Sequence, residues 1–224
     1  MTADRFLAAV FLTVALALPV AGCSPTGIAI GAGAAAGSAA LEERGFSQAV
    51  ADKADELTII KRLADYSFDT FRRVDVAVYE GRVLLTGIVP EANDRVEAVR
   101  TAWATDGIVD VVNEILIGEG IGTIDTSYDL RIAAELRADI TLDNAVTAVN
   151  YSLDAVGGTL YLFGVAQSDE EIQRVKAHAR TIANVRRIVS HMLLKDGARR
   201  AQLLDALAAE KARLEAADGK TTAQ

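Results

Sequence analysis

The chain has 224 residues, with 31 acidic and 23 basic side chains and a formal net charge of −8. This balance excludes a general nucleic-acid binder, which would present a basic footprint. A single cysteine excludes an intramolecular disulfide framework.

Residues 6–20, FLAAVFLTVALALPV, carry no charge or amide and follow Arg5. The run is short for a bilayer span, which needs about 20 residues, and has the length of a signal-peptide h-region. The lone Cys23 stands at its end. One reading of it is a small buried hydrophobe. The other is that Val20-Ala21-Gly22-Cys23 resembles the lipobox of bacterial lipoproteins. That resemblance implies a signal peptide over 1–22, cleavage before Cys23 and a diacylglycerol on its thiol. Ser24, in place of the aspartate that retains lipoproteins at the inner membrane, implies the periplasmic face of the outer membrane. Residues 23–56, beginning with a Gly/Ala-rich run, read as a lipidated N-terminus and flexible tether.

An internal repeat follows. YEGRVLLTGIVPEANDRVEAVRTAWATDGIVDVVNEILI (79–117) matches VGGTLYLFGVAQSDEEIQRVKAHARTIANVRRIVSHMLL (156–194) at a separation of 77. Gly81 pairs with Gly158, Leu85 with Leu162, Gly87 with Gly164 and Val112 with Val189. Between these anchors the apolar positions of the helices suggest a one-residue slip, Val96 with Ile172 and Val99 with Val175.

In chain order, LTIIKRLADY (57–66) and DLRIAAELRADI (129–140) read as amphipathic helices. An alternating strand comes next (Val74, Val76, Val78; Tyr151, Leu153, Ala155). A glycine turn makes a hairpin with a second strand, which ends at Gly87 or Gly164. The next helix opens at Pro90 in the first copy and at the capping box Ser168–Glu171 in the second. Its apolar face is Val96, Val99 and Trp103, or Ile172, Val175, Ala179 and Ile182. A β-rich run closes each copy. The fold class is therefore α+β: two αββαβ modules, each with two helices on a small three-stranded mixed sheet. The first module spans 57–118, a linker 119–126, and the second module 127–195. Residues 196–224 read as an exposed C-terminal helix with a polar tail.

This pattern resembles the BON domain of bacterial envelope and osmotic-stress proteins, most specifically in YEGRVLLTG and VNEILIGEGIG. Together with the lipobox, residues 23–195 are similar to the dual-BON outer-membrane lipoproteins associated with division and outer-membrane stress. The resemblance implies an anionic phospholipid membrane as partner, and envelope-assembly or cell-division proteins beside it. It also implies that the first helix of the second module meets the bilayer.

On that helix, Ile132, Leu136 and Ile140 share one face, which should pack on the sheet. Leu130, Arg131, Ala134, Arg137 and Ala138 fall on the other and suit a shallow interfacial contact. The bland alternative is a solvated face whose arginines pair with Glu135 and Asp139. A basic stretch from Arg174 to Arg200, containing Lys176 and Arg180, offers a rival anionic contact on the second helix. Trp103, Tyr161 and Phe163 read as packing residues before a binding stripe. His178 and His191 lack neighbouring metal ligands, Asp169–Glu171 suits a first helical turn, and GEGIGTID lacks dinucleotide spacing. No catalytic residue, metal site, cofactor or nucleic-acid partner is expected. Two functions remain: a lipid-anchored phospholipid-binding protein that supports outer-membrane integrity, or an adaptor lipoprotein without lipid recognition of its own.

Overall fold

The computed structural model describes residues 42–119 and 123–221; the apolar leader, Cys23 and the Gly/Ala run lie outside them. Helix α1 (Gly45–Tyr66) and the single turn α2 (Phe68–Phe71) lead into strands β1 (Val74–Tyr79) and β2 (Arg82–Val89). Helix α3 (Ala92–Trp103) and the short strands β3 (Asp110–Asn113) and β4 (Leu116–Ile117) complete the first module. The second runs through α4 (Thr123–Leu142), β5 (Tyr151–Val156), β6 (Thr159–Ala166), α5 (Asp169–Thr181) and β7 (Arg187–Leu194). A last helix, α6 (Ala198–Thr221), follows.

Within each module the hairpin is antiparallel and the last strand lies parallel to its centre, in orders β1-β2-β3 and β5-β6-β7. The expected third strand is broken in the first module, where β3 and β4 both pair with β2. Asn113 Oδ1 takes the Ile115 N–H (3.1 Å) at the break. Two expected boundaries move. Residues 45–56, assigned to the tether, are helical, and α4 starts inside the expected linker.

The offset of 77 holds without a slip: β1, β2 and α3 begin at 74, 82 and 92, and β5, β6 and α5 at 151, 159 and 169. This corrects the expected packing face of α3 at Val96 and Trp103, whereas Val99 packs against the edge of the core. The buried residues of α3 are Ala98, Thr101 and Ala102, the counterparts of Val175, His178 and Ala179, whereas Val96 and Trp103 point to solvent. Choosing the large side chains turned the helix by about one residue, or 100°. Pro90 likewise precedes the N-cap residue Glu91 rather than opening the helix.

Gly87 and Gly164 lie inside their strands, not at the ends, with φ of 121° and 128°. A Cβ on either would come within 1.9 Å of a carbonyl oxygen, that of Arg73 or Asn150. Both the angle and the space demand glycine. The tight hairpin turns Glu80-Gly81 and Gly157-Gly158 also have positive φ at both central residues. Each is held by a buried aspartate of the preceding helix. Asp52 accepts the N–H groups of Glu80 (2.8 Å) and Gly81 (3.0 Å), and Asp129 those of Gly157 (2.7 Å) and Gly158 (2.8 Å).

Three cores result. One joins α1 and α3 to the first sheet, and one joins α4 and α5 to the second. The third lies between the sheets, formed by Tyr79 and Leu84 against Val156, Tyr161, Phe163 and Val165. The layers thus run helices, sheet, sheet, helices. Tyr161 and Phe163 are inter-module packing residues, fully buried. Among the described residues the buried side chains run from Gln48 to Leu207, so residues 42–224 keep each of these cores.

The C-terminal helix is not free-standing as expected. Leu203 and Leu207 are buried, and Leu207 Cδ1 would meet a Cβ placed on Gly81 at 2.8 Å. Arg200 makes a bidentate pair with Glu80 at the tip of the first hairpin (Nη2–Oε1 2.6 Å, Nε–Oε2 2.9 Å). Lys211 Nζ reaches Gln48 on α1 (2.5 Å). The chain after the second module therefore clamps the first. Both members of the Arg200–Glu80 pair are buried, so removing one leaves a charge without its partner. Arg200→Ala should lower stability by about 3 kcal/mol and expose α6 to protease. Arg200→Met combined with Glu80→Gln should restore most of the loss. Thermal melts and limited proteolysis measure both.

Candidate functional site: the outer helix layers and the inter-module cleft

Ile132, Leu136 and Ile140 are fully buried against the second sheet, which fixes the rotation of α4. The opposite face then carries Leu130 (71 % exposed), Arg131, Ala134 and Ala138, all open to solvent. Arg131 lies over the Tyr128 ring (5.8 Å) and has no ion pair among the described residues, whereas Glu135 and Asp139 are half-buried. Arg137 departs from the expected set. Its guanidinium donates to the carbonyls of Ala148 (2.8 Å) and Tyr151 (2.6 Å), bracing α4 against the turn before β5. A side chain so committed is structural.

The second helix belongs to the same surface. On α5, Ile172, Val175 and Ala179 pack inward, leaving Arg174 and Arg180 exposed and Lys176 half-buried. The Ser168 hydroxyl accepts from Glu171 N–H (3.3 Å), as a capping box requires. Glu171 itself accepts from the Gln167 N–H (2.5 Å) and the Thr147 N–H (2.6 Å) instead of the N-cap amide. Asp143, just past α4, meets His178 Nε2 at 2.8 Å and Arg174 at 3.7 Å. The His178 hydrogen bond, then that from the Ala145 N–H, holds the Asp143 carboxyl below the usual range. The outer layer of the second module thus combines Leu130 and small residues with Arg131, Arg174, Lys176 and Arg180, together with the exposed carboxylates Asp169 and Glu170.

The first module's outer layer faces the other way and differs in chemistry. Phe46, Val50 and Leu57 on α1, and Val96 and Trp103 on α3, are each about half exposed or more. Its charges are largely paired within their own helices, Lys53 with Glu56, Lys61 with Asp65 (2.5 Å) and Arg100 with Glu97 (2.6 Å).

Polar contacts cross between the sheets. Arg82 lies over the Phe163 ring (4.9 Å) and donates to the His191 carbonyl (3.3 Å). His191 Nε2 sits 2.8 Å from Glu114 Oε1. The Thr86 hydroxyl donates to Asp154. Beside that bond the modules leave a cleft of about 430 Å³, lined by Arg72, Asp75, Ile88, Leu130 and Asp154 among others. The sequence carries no signal for it, because its walls come from both modules.

Burial pushes the Asp154 carboxyl up to about 6, against the opposing effect of the Thr86 hydrogen bond and with the Asp75 charge adding to it. Burial also raises Asp55 to about 6, with Asp52 and Asp106 contributing. A carboxyl raised above its unfolded value of 3.8 binds more protons folded than unfolded between that pH and about 6. Stability contributed by these groups is therefore lost as pH rises through that window. The thermal midpoint should be higher at pH 5 than at pH 7, and Asp154→Asn should reduce the difference.

A family model described as the BON domain matches residues 51–119 and 128–196. A protein of Anaplasma centrale, described by its place in the gshII 5′ region, is 36 % identical over 126 residues, 56 % of this chain and 83 % of its own length. The outer membrane lipoprotein DolP of Haemophilus influenzae is 28 % identical over 141 residues, 62 % of this chain and 73 % of that one. A 21 kDa hemolysin of Actinobacillus pleuropneumoniae is 27 % identical over 123 residues, 54 % of this chain and 63 % of the hemolysin.

Proposed function

Because the chain belongs to the BON-domain family, with two modules in tandem, we propose that it is a lipid-anchored protein of the periplasmic face of the outer membrane. Its second module binds anionic phospholipid, and the protein supports envelope integrity under stress. The observation that carries this reading is the outer layer of α4 and α5, where exposed Leu130, Ala134 and Ala138 stand among Arg131, Arg174, Lys176 and Arg180. Each basic side chain near an anionic surface contributes about 1 kcal/mol, and Leu130 adds burial at the headgroup boundary. Cys23 supplies the anchor, since two or more acyl chains hold a protein on a membrane stably. The similarity to a protein named as an outer membrane lipoprotein supports the address. The protein is not an enzyme on this reading: Ser168 caps α5, while Asp52 and Asp129 hold hairpin turns.

An adaptor role has its own support. At the offset of 77, Phe46, Val50, Leu57, Val96 and Trp103 correspond to Thr123, Ser127, Ala134, Gln173 and Arg180. The fold is thus built equally well without large apolar groups there, so their exposure on the first module suits contact with envelope-assembly or division proteins. That layer points away from the one assigned to lipid, so both roles fit one molecule.

Flotation of residues 42–224 with anionic and with zwitterionic vesicles tests the lipid contact. Binding should be selective for anionic vesicles, weaken with salt, and be lost in Arg131→Glu/Arg180→Glu with little change in thermal midpoint. Absence of binding at low salt would leave the adaptor reading. Cys23→Ser in the full chain should release the protein from the membrane fraction or leave it unprocessed. Unchanged fractionation and migration would remove the anchor.

A further inference from the structure

The cleft between the modules has a chemistry that the outer helix layer lacks. Asp75 on β1 and Thr86 on β2 are register partners facing the second sheet, and Thr86 bonds Asp154 on β5 at this corner. The cleft beside them, about 430 Å³, lies within the range of small-ligand sites. Ile88, Ala155 and Val156 give it an apolar floor, and α4 contributes Leu130 and Ala133 at its lip. Two kinds of charge meet there. Asp75 has no ion pair among the described residues, and Asp154 is met by the Thr86 hydroxyl and a backbone hydrogen bond at Ala155, so two carboxylates face the space with no cation paired to either among the described residues. On the wall, Arg73 is held by Asp69 (2.8 Å), but Arg72 is exposed and has no ion pair among the described residues.

A simple anion would be attracted by Arg72 and repelled by Asp75, Asp154 and Glu119, which also lines the cleft. A simple cation would meet the reverse. A head carrying both a phosphate and an ammonium satisfies both walls, and an attached chain leaves over Leu130, whose side chain stands open at the lip. The volume admits such a head and the first carbons of a chain, not a whole two-chain lipid.

We infer that the inter-module cleft binds the phosphoethanolamine-type head of a zwitterionic amphiphile, with its phosphate at Arg72 and its ammonium between Asp75 and Asp154. The chain then runs over Ala133 and Leu130 toward the outer face of α4. This deepens the proposed lipid function and rests on it: α4 and α5 recognise the charge of the surface, whereas the cleft takes a single head.

The test titrates residues 42–224 with dihexanoyl-phosphatidylethanolamine, dihexanoyl-phosphatidylglycerol and O-phosphoethanolamine, the lipids below their micelle concentrations. Backbone amide shifts locate binding and calorimetry measures it. Charge-assisted hydrogen bonds to two carboxylates predict about tenfold tighter binding of the ethanolamine lipid than of the glycerol lipid. Asp75→Asn/Asp154→Asn should abolish that preference, and Arg72→Ala should weaken both lipids. O-phosphoethanolamine should shift the same amides around Thr86 and Ala155 but bind at least about tenfold more weakly, because it lacks the chain. Equal binding of free head and lipid would make the ligand a soluble phosphate–amine and overturn the lipid assignment. Equal affinity for the two lipids, shifts confined to α4 and α5, or no effect of the asparagine pair would overturn the site. The asparagine pair should float with anionic vesicles like the unaltered protein, so failure of the cleft and failure of the outer layer are read separately.

Discussion

The face-to-face packing of the two sheets is the contact on which the remaining architecture depends. A module of this size has one helix-covered sheet face, and its single core is only marginally stabilising. Here β2 is buried over seven of its eight residues and β6 over all eight, because each sheet is covered on both sides. Tyr161 and Phe163 bring the largest apolar area to that seam, and the Arg82 guanidinium lies over the Phe163 ring. At about 25 cal/mol per Å² of apolar surface, burial of these two rings alone is a substantial part of what either module needs. Removing one module would leave the other with an exposed apolar sheet.

Polar groups then fix the geometry that apolar packing leaves loose. The buried aspartates Asp52 and Asp129 sit at matching positions and hold matching hairpin turns, which sets the angle of each first helix to its sheet. In the first module the turn residue Glu80 also receives Arg200 from α6, so the last helix is pinned to the first hairpin. Among the described residues the second module has no such clamp: glycine occupies the place of Glu80. The duplication is thus symmetric in the backbone of its hairpins and asymmetric in what binds to them.

Sheet-to-sheet stacking has a direct consequence for function. It turns the two helix layers outward in opposite directions, one with small residues and exposed arginines beside the carboxylates Asp169 and Glu170, the other with half-exposed aromatic and aliphatic groups and largely paired charges. A flat membrane can lie against one of them at a time. On the proposed reading Arg131, Arg174, Lys176 and Arg180 turn toward an anionic surface, and the other layer remains available to partners in the aqueous space. The cleft opens at the edge where both modules meet, beside the first turns of α4.

Much of the fold was legible in the sequence, because hydrophobic period, turn glycines and the 77-residue repeat are local or self-comparing signals. They located both hairpins, the order of elements, the buried face of α4 and the packing role of Tyr161 and Phe163. Errors arose where two elements compete for the same apolar cue. Side-chain size suggested Val96 and Trp103 as the inner face of α3, but close approach of that helix to the sheet selects Ala98 and Ala102. Leu203 and Leu207 do not reveal their partner, since nothing in α6 encodes that it returns to the first hairpin. Arg137 reads as a surface cation until the carbonyls of Ala148 and Tyr151 are brought beneath it. The cleft belongs wholly to tertiary structure: Arg72 and Asp75 lie about eighty residues from Asp154, and only the stacking of one sheet on the other makes them neighbours.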